Sequence, residues 1–128
     1  EEDAVIEAEH ITNITVEKVR SLGIQQVLEQ ISHQLNPCDV MYVSFDVDSM
    51  DSSISKGTGT PVRNGITEKE AGSLLVRLIQ NEKVCCFEIC EVNPTLDKEN
   101  LMAENTFEIL QRVVSQLLLV RTDYEYSF

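Results

Sequence analysis

Three carboxylates follow the most apolar stretch of the sequence. Residues 40–45 are apolar or strand-forming almost without a break, and Asp46, Asp48 and Asp51 follow directly. Such a stretch is typical of a parallel-sheet strand buried on both faces, and ligands of open α/β sheets bind where strands end. Asp46 and Asp48 point the same way if the strand continues through them, because side chains alternate. Two adjacent carboxylates repel, and burying either one unpaired is costly, so the pattern predicts a divalent-cation site.

A second apolar stretch carries two further acids. Glu88 and Glu91 interrupt residues 84–92, which Asn93 and Pro94 close. A glutamate in such a strand is costly without a cation or hydrogen-bond donors nearby. The two glutamates lie at opposite parity, so a regular strand cannot point both to one side. Glu91, at the carboxyl end, is the functional candidate, and a hydrogen-bonded structural acid is the alternative.

Helices on either side of the first strand should position these acids. Apolar residues between Ile24 and Leu35 recur at helical spacing, which predicts a helix that serves as the crossover of a βαβ unit. Thr67 and Glu70 form the pattern of a capping box at the start of a second helix.

The two ends of the sequence also carry patterns. Residues 1–9 suggest a helix and residues 11–16 a short strand. Residues 102–120 predict a helix so apolar that it should be packed on more than one side. Its main stripe comprises Phe107, Leu110, Val114, Leu117 and Leu118, which Ile109, Val113 and Leu119 widen.

The loop that follows Asp51 is rich in serine and glycine. It lacks the lysine spacing of a phosphate-binding P-loop and does not lead directly into a helix. Two interpretations stay open for residues 52–62: a flexible surface loop, or a loop that folds over the carboxylates.

Composition excludes several classes of partner. The chain has 128 residues, a formal net charge of −12 and no cluster of lysine or arginine, which argues against nucleic acid and anionic membranes. No apolar run is long enough to span a bilayer, and no signal peptide is recognisable. Because the chain opens on Glu1 and not on Met, we expect its natural N-terminus to be missing. The four cysteines lack zinc-site spacing, which predicts reduced core thiols in a cytoplasmic protein.

Four linked motifs resemble those of the ureohydrolases, and among these the arginases most closely. The motifs are residues 44–51, 57–62, 65–67 and 88–94, and the similarity covers roughly residues 23–120. It implies a three-layer α/β/α fold with a parallel sheet, of which this chain is the C-terminal part. It also implies a cofactor of two Mn²⁺ ions, whose hard oxygen ligands fit the acids found here.

The resemblance assigns roles to individual residues. Asp46 would bridge both Mn²⁺ ions and Asp48 would bind one of them. Glu91 would hold the substrate guanidinium, supported by Thr60, and paired metals would generate the hydroxide that attacks the guanidino carbon. Asp51 is counted with Glu91 among the catalytic residues. Asp51 and Glu88 would support the site without contacting the metal ions directly. The implied reaction converts L-arginine to L-ornithine and urea.

Two features depart from the family pattern. Ser52 stands where the family usually has proline, which affects the stiffness of the loop. The upstream His and the Asp-Ala-His-x-Asp motif, which supply the other metal ligands, are absent from the sequence. We therefore expect residues 1–128 to be the C-terminal segment of one ureohydrolase domain, inactive in isolation. The full-length protein would be a homo-oligomer, a trimer or hexamer.

Other functions remain open at this stage. The chain could act on another ureohydrolase substrate: agmatine, a guanidino acid or formimidoylglutamate. Val62 favours arginine over agmatine. A non-catalytic assembly or regulatory module is another. A phosphotransfer enzyme of the haloacid-dehalogenase type also places Asp-x-Asp after a strand, but it gives the motifs at residues 57–62 and 88–94 no role.

Overall fold

The computed structural model describes residues 2–125. Along the chain it contains, in order, α1 (Glu2–Ala8), α2 (Val16–Leu22), α3 (Ile24–Leu35), β1 (Met41–Asp46), a 3-10 helix (Val47–Ser49), α4 (Glu68–Leu78), β2 (Val84–Cys90) and α5 (Leu101–Glu125). The predicted helices at both ends, and those before and after β1, are confirmed.

The two strands form a parallel sheet. They pair in register from Tyr42 opposite Cys86 to Asp46 opposite Cys90, with an irregularity at Met41. Parallel strands need a crossover connection, and here α4 provides it. The predicted α/β class with a parallel sheet is confirmed. The assignment of α3 as a crossover helix is wrong for the described part of the chain, because no strand precedes α3 there.

The strand expected at residues 11–16 is not found: residues 11–15 form no regular element, and α2 begins at Val16. Thr15 caps this helix by accepting a hydrogen bond from the Lys18 amide at 3.3 Å, and Glu17 lies in its first turn. A threonine cap and an early acid both favour a helix start. Burial of Val19 then holds the helix against its neighbours.

Helices and sheet share one core on a single face of the sheet. Helices α4 and α5 pack together against the apolar side chains of that face. The buried residues of this core are Phe45, Val47, Met50, Ala71, Leu75, Ile79, Met102, Ile109 and Val113.

The other face of the sheet is open. Tyr42 is 59% exposed, and Ser44, Cys86 and Glu88 beside it are exposed as well. Burial of β1 on both faces is therefore not found, because no helix among residues 2–125 covers this side. For the same reason the prediction of core thiols is wrong: all four cysteines are unpaired, but Cys86 and two others are exposed, and the fourth is half-buried.

Helix α5 buries only part of the apolar surface that was predicted: Ile109 and Val113 lie in the core, and of the main stripe Leu117 packs against it. Met102, Ile109 and Val113 are fully buried, whereas Phe107 is 58% and Leu118 is 61% exposed. In this chain the helix is packed along one side, so its second apolar stripe faces outward. No helix in the described residues is long and apolar enough to cross a membrane.

Candidate functional site

The first strand ends at Asp46, and a single 3-10 turn follows. The Asp46 carboxylate accepts a hydrogen bond from the Asp48 amide at 2.8 Å, and its carbonyl accepts one from the Ser49 hydroxyl at 2.6 Å. A short polar side chain in this position caps a turn. The turn therefore places Asp48 directly beside Asp46. The strand does not continue through Asp48, so the condition under which the two side chains would point the same way is not met.

Buried side chains hold this turn in place. Val47 and Met50 are fully buried in the core. The Ser55 side chain is also fully buried, and its hydroxyl donates to the Val47 carbonyl at 2.9 Å. Buried apolar side chains thus precede and follow Asp48 in the chain, and a buried hydrogen bond from Ser55 holds the turn between them.

The glycine-rich loop folds over the carboxylates. The hydroxyls of Thr58 and Thr60 donate to the two oxygens of the half-buried Asp48 carboxylate, Thr58 to Oδ1 and Thr60 to Oδ2. The Thr60 amide donates to the Thr58 hydroxyl at 3.1 Å. The second interpretation of this loop is confirmed, and Thr58 joins the site although the sequence did not single it out.

The base of the loop is packed so closely that it requires glycine. A Cβ on Gly57 would lie 2.5 Å from the Asp97 Cβ atom. Asp97 is 5% exposed, and its carboxylate accepts hydrogen bonds from the Met102 and Ala103 amides at 3.3 and 2.9 Å, which caps α5. The Gly57 carbonyl accepts from the Asn93 amide at 2.8 Å, so the loop is tied to the segment after β2. Asp97 was missed, although an acid shortly before an apolar helical run is a recognisable capping signal.

Asp51 lies beyond the turn and bonds locally. Its carboxylate accepts from the Ser53 amide at 2.9 Å and from the Ser53 hydroxyl at 2.5 Å. These hydrogen bonds, chiefly that of the hydroxyl, hold the pKa of Asp51 below its usual value. The side chain thus faces Ser53, which fits a supporting position better than direct contact with a bound ion.

Arg20 is a second residue that the sequence did not single out. Its guanidinium lies 2.9 Å from the Glu70 carboxylate and also donates to the Gly65 carbonyl at 2.9 Å. Glu70 closes the predicted capping box with Thr67, which is confirmed. Hydrogen bonding from Arg20, followed by that of the Thr67 amide, lowers the pKa of Glu70 to about 2. Arg20 thereby links α2 to the turn that flanks Asp51.

The acid after the second strand is exposed. Glu91 follows Cys90, the residue paired with Asp46, and therefore stands at the same edge of the sheet as the β1 turn. Its φ is 65°, a left-handed conformation that non-glycine residues adopt infrequently. The chain thus turns sharply at Glu91, and its carboxylate is accessible from solvent.

Glu88 lies on the open face of the sheet and not at the strand end. Its carboxylate accepts from the Ser44 hydroxyl at 2.9 Å. Hydrogen bonding with Tyr42, and then with Ser44, lowers the pKa of Glu88, and the same contact raises the pKa of Tyr42 to about 12. This pattern is that of a hydrogen-bonded acid on the surface of the sheet.

The donor set fits part of a metal site. Asp46 and Asp48 offer carboxylate oxygens, which Mn²⁺ and similar hard cations prefer. Among residues 2–125, however, no group of three or more His, Cys, Asp or Glu side chains is arranged to hold a metal ion. Two carboxylates on one turn are compatible with a metal and do not complete its coordination.

Comparison with known proteins identifies the relatives of this fold. The sequence model of the Arginase family matches residues 1–119. The chain belongs to the arginase family. It is 33% identical to an arginase of Entamoeba histolytica over 94 residues, which are 73% of this chain and 32% of that protein.

Solved structures agree with the family assignment. The crystal structure of arginase from Bacillus subtilis superposes with a TM-score of 0.79 at 28% identity, over 87% of this chain and 41% of that one. Formimidoylglutamase from B. subtilis superposes with a TM-score of 0.85 over 91% of this chain and 37% of that one. At 23% identity the second match concerns the fold alone. The predicted arginase-like α/β fold is confirmed.

The matched segment is a minor part of each relative. The chain spans 32% of the E. histolytica arginase and 36% of the B. subtilis arginase sequence. The roles of Asp46, Asp48, Asp51, Thr60 and Glu91 in this arginase-family chain stay predictions.

Proposed function

We propose that this chain is the C-terminal segment of a metal-dependent hydrolase that cleaves a guanidino C–N bond. The substrate is L-arginine and the products are L-ornithine and urea. One observation carries the proposal: in a chain of the arginase family, Asp46 and Asp48 lie on one turn at the carboxyl end of a parallel strand, and the following loop bonds to Asp48.

Each proposed role follows from the chemistry of its side chain. Asp46 and Asp48 would hold two Mn²⁺ ions together with ligands from outside this segment, and the metal would supply Lewis-acid activation of water. Glu91 would accept paired, charge-assisted hydrogen bonds from the substrate guanidinium and orient its carbon atom. Thr60 would stand beside that group, and Asp51 would support the turn.

Arginine is favoured within the family by two facts. Two relatives, from E. histolytica and B. subtilis, match at 33% and 30% identity and are named arginases. Val62 also follows Thr60 and Pro61, which resembles the arginases, whereas agmatine-specific members tend to carry an acid at that position. Agmatine, a guanidino acid or formimidoylglutamate is the substrate if this inference fails.

A non-catalytic assembly or regulatory role is the second candidate. It is favoured by the incomplete donor set of residues 2–125. Under both proposals the isolated chain should bind Mn²⁺ weakly and should not hydrolyse arginine, because two carboxylates from one turn do not complete the coordination of an ion.

Further properties belong to the proposal. The complete enzyme would be a homo-oligomer, a trimer or hexamer, located in the cytoplasm, where unpaired thiols such as these four stay reduced. Its partner would be a small guanidino compound and neither nucleic acid nor membrane, in keeping with the net charge of −12.

The test is substitution of Glu91 in the complete enzyme. Glu91→Gln should lower kcat/KM for arginine by roughly 10- to 150-fold, which corresponds to a charge-assisted pair of about 1.5–3 kcal/mol. The Mn²⁺ content should stay near that of the parent, since Glu91 is not proposed as a ligand. Glu88→Gln is the matched control, because its carboxylate bonds to Ser44 on the sheet face. Unchanged kcat/KM in Glu91→Gln would remove Glu91 from the site.

A further inference from the structure

We propose that the Asn64–Gly65 dipeptide is a deamidation site that the folded chain holds closed, and that Arg20 helps to keep it closed. It is the single Asn-Gly dipeptide in the sequence. Deamidation is least hindered before glycine, which has no side chain to obstruct attack by its own nitrogen on the asparagine side chain. The inference concerns this loop by itself and does not depend on the proposed function.

The reaction exchanges one C–N bond for another. The deprotonated Gly65 nitrogen attacks the carbonyl carbon of the Asn64 side chain, and the bond from that carbon to Nδ2 breaks. Ammonia leaves with the proton that the Gly65 nitrogen has lost, and a five-membered succinimide remains. Water then opens the ring at either carbonyl, which gives aspartate or isoaspartate at position 64. Water is the only co-reactant.

The backbone conformation of Asn64 keeps the reacting atoms apart. Its φ is 59°, which for a residue with a side chain means the left-handed region. Ring closure requires the Asn64 Cβ and the Gly65 nitrogen to eclipse each other about the bond from Cα to the carbonyl carbon. At the ψ of a left-handed residue these two atoms lie on nearly opposite sides of that bond. The ring can therefore close only after the Asn64–Gly65 peptide has rotated.

The packing that requires glycine at position 65 opposes this rotation. Gly65 is buried, and a Cβ on it would lie 2.6 Å from both the Ser49 carbonyl oxygen and the Asp51 amide nitrogen. A bulkier residue, which would hinder the chemistry, therefore does not fit. The next residue is tied on both sides: the Ile66 carbonyl accepts from the Asp51 amide at 3.0 Å, and its amide donates to the Ser49 carbonyl at 2.9 Å.

Two side chains hold the dipeptide itself. The Arg20 guanidinium donates to the Gly65 carbonyl at 2.9 Å. After the hydroxyl and amide of Ser53, the amides of Asn64 and Gly65 also lower the pKa of Asp51 by donating to its carboxylate. Because the reaction begins with loss of the Gly65 N–H proton, a negative charge beside that group opposes it. Arg20 is the tie that can be removed without changing the dipeptide or the proposed metal site.

Asn100 provides an internal comparison. Its φ is 54°, so it shares the left-handed conformation of Asn64, but Leu101 follows it. The branched side chain of Leu101 hinders attack by its nitrogen. Asn100 should therefore react much more slowly than Asn64 in the unfolded chain, where backbone conformation no longer restrains either residue.

The experiment follows deamidation of the 128-residue chain at mildly alkaline pH, both folded and in guanidinium chloride. Mass spectrometry of proteolytic peptides measures the reacted fraction at each asparagine, and circular dichroism verifies the folded samples. Asn64 should react at least about tenfold more slowly in the folded chain, because the reaction requires local opening. Equal rates in the two states would overturn the inference, as would an unfolded chain in which Asn64 reacts no faster than Asn100.

Arg20→Met tests the second half of the proposal. It keeps the length of the side chain and removes its donors, so the folded-state rate at Asn64 should rise roughly 2- to 10-fold, the factor expected for one lost hydrogen bond. Arg112→Met is the matched control, because it breaks an ion pair with Glu68 of similar exposure and leaves the Arg20 contacts intact. Its rate should equal that of the parent. An unchanged rate in Arg20→Met, or equal acceleration in both variants, would overturn the role of Arg20.

The reaction products give a measurement that does not require Arg20→Met to fold. Isoaspartate adds one carbon to the backbone between residues 64 and 65, which the close packing of Gly65 does not accommodate. Chromatography separates the isoaspartate fraction from the aspartate fraction. The former should have a lower Tm than the parent, and the latter should stay closer to it, because aspartate also adopts the left-handed region. An isoaspartate fraction with the Tm of the parent would contradict closure of the site by packing.

Discussion

The two strand ends of this molecule carry the predicted functional acids but are built differently. After β1, Val47 and Met50 are fully buried, and the buried Ser55 hydroxyl bonds to the turn between them. After β2, Glu91 is exposed in a left-handed conformation and Val92 is 39% exposed. One end is anchored in the core of this chain, and the other lies at its surface.

The difference reflects where the supporting residues lie in the sequence. The side-chain hydrogen bonds to Asp48 and its turn come from residues 46–60. Backbone hydrogen bonds between Ile66 and residues Ser49 and Asp51 add to them. The β2 end has one backbone tie to the loop, from Asn93 to Gly57. The structure thus orients Asp48, the proposed metal ligand, through several contacts, whereas Glu91, the proposed substrate-binding residue, lies exposed at the end of β2.

Truncation of an apolar anchor should give the largest contrast between the two ends. Met50→Ala leaves a cavity at a fully buried position and should cost about 2–5 kcal/mol of unfolding free energy. Val92→Ala, its counterpart after β2, should cost less than about 0.5 kcal/mol. Urea denaturation followed by circular dichroism measures both. Similar losses for the two variants would mean that the β2 end is anchored as firmly as the β1 end.

Close backbone packing at the β1 end gives the second contrast. A Cβ on Gly65 would lie 2.5 Å from the Met50 carbonyl carbon and 2.6 Å from the Asp51 amide nitrogen. Gly65→Ala should therefore cost about 1–3 kcal/mol, because backbone must move to admit the methyl group. Gly59→Ala is the control, since a Cβ there meets nothing within 4 Å. The same denaturation curves serve as readout, and an unchanged midpoint for Gly65→Ala would contradict the packing.

Lowering the pH should destabilise the β1 end, and this is the smallest of the expected effects. The pKa of Glu70 is about 2 in the folded chain, below its usual value of 4.5, so protonation favours the unfolded state. The contribution of Glu70 is complete above about pH 4.5 and is lost as the pH falls towards 2. Since its partner Arg20 is partly exposed, we expect a fall in Tm of only about 2–4 °C.

Glu70→Gln provides the comparison for this pH dependence. Its Tm should be lower than that of the parent near neutral pH and should approach the parent value near pH 2. Calorimetry across this range measures the difference, and a constant gap between parent and variant would show that Glu70 does not carry the effect.

Features that depend on neighbours in sequence were predictable. The capping box of Thr67 and Glu70 was predicted from a spacing of three residues, and the structure contains both of its hydrogen bonds. The helix of residues 24–35 followed from its apolar periodicity. The placement of Asp46 at a strand end followed from the apolar run before it. Each of these depends on interactions within a few residues, which is why the sequence alone determined them.

Contacts between distant segments were decided only by the tertiary structure. Helix α5 has two apolar stripes of the same period, and its partners in the core select the one that contains Ile109 and Val113. Arg20 and Glu70 lie 50 positions apart, so no local pattern pairs them. Thr58 is buried and Thr60 is exposed, and burial is a property of the packed loop. The sequence therefore located the acids at the strand ends, and packing alone determined which side chains hold them.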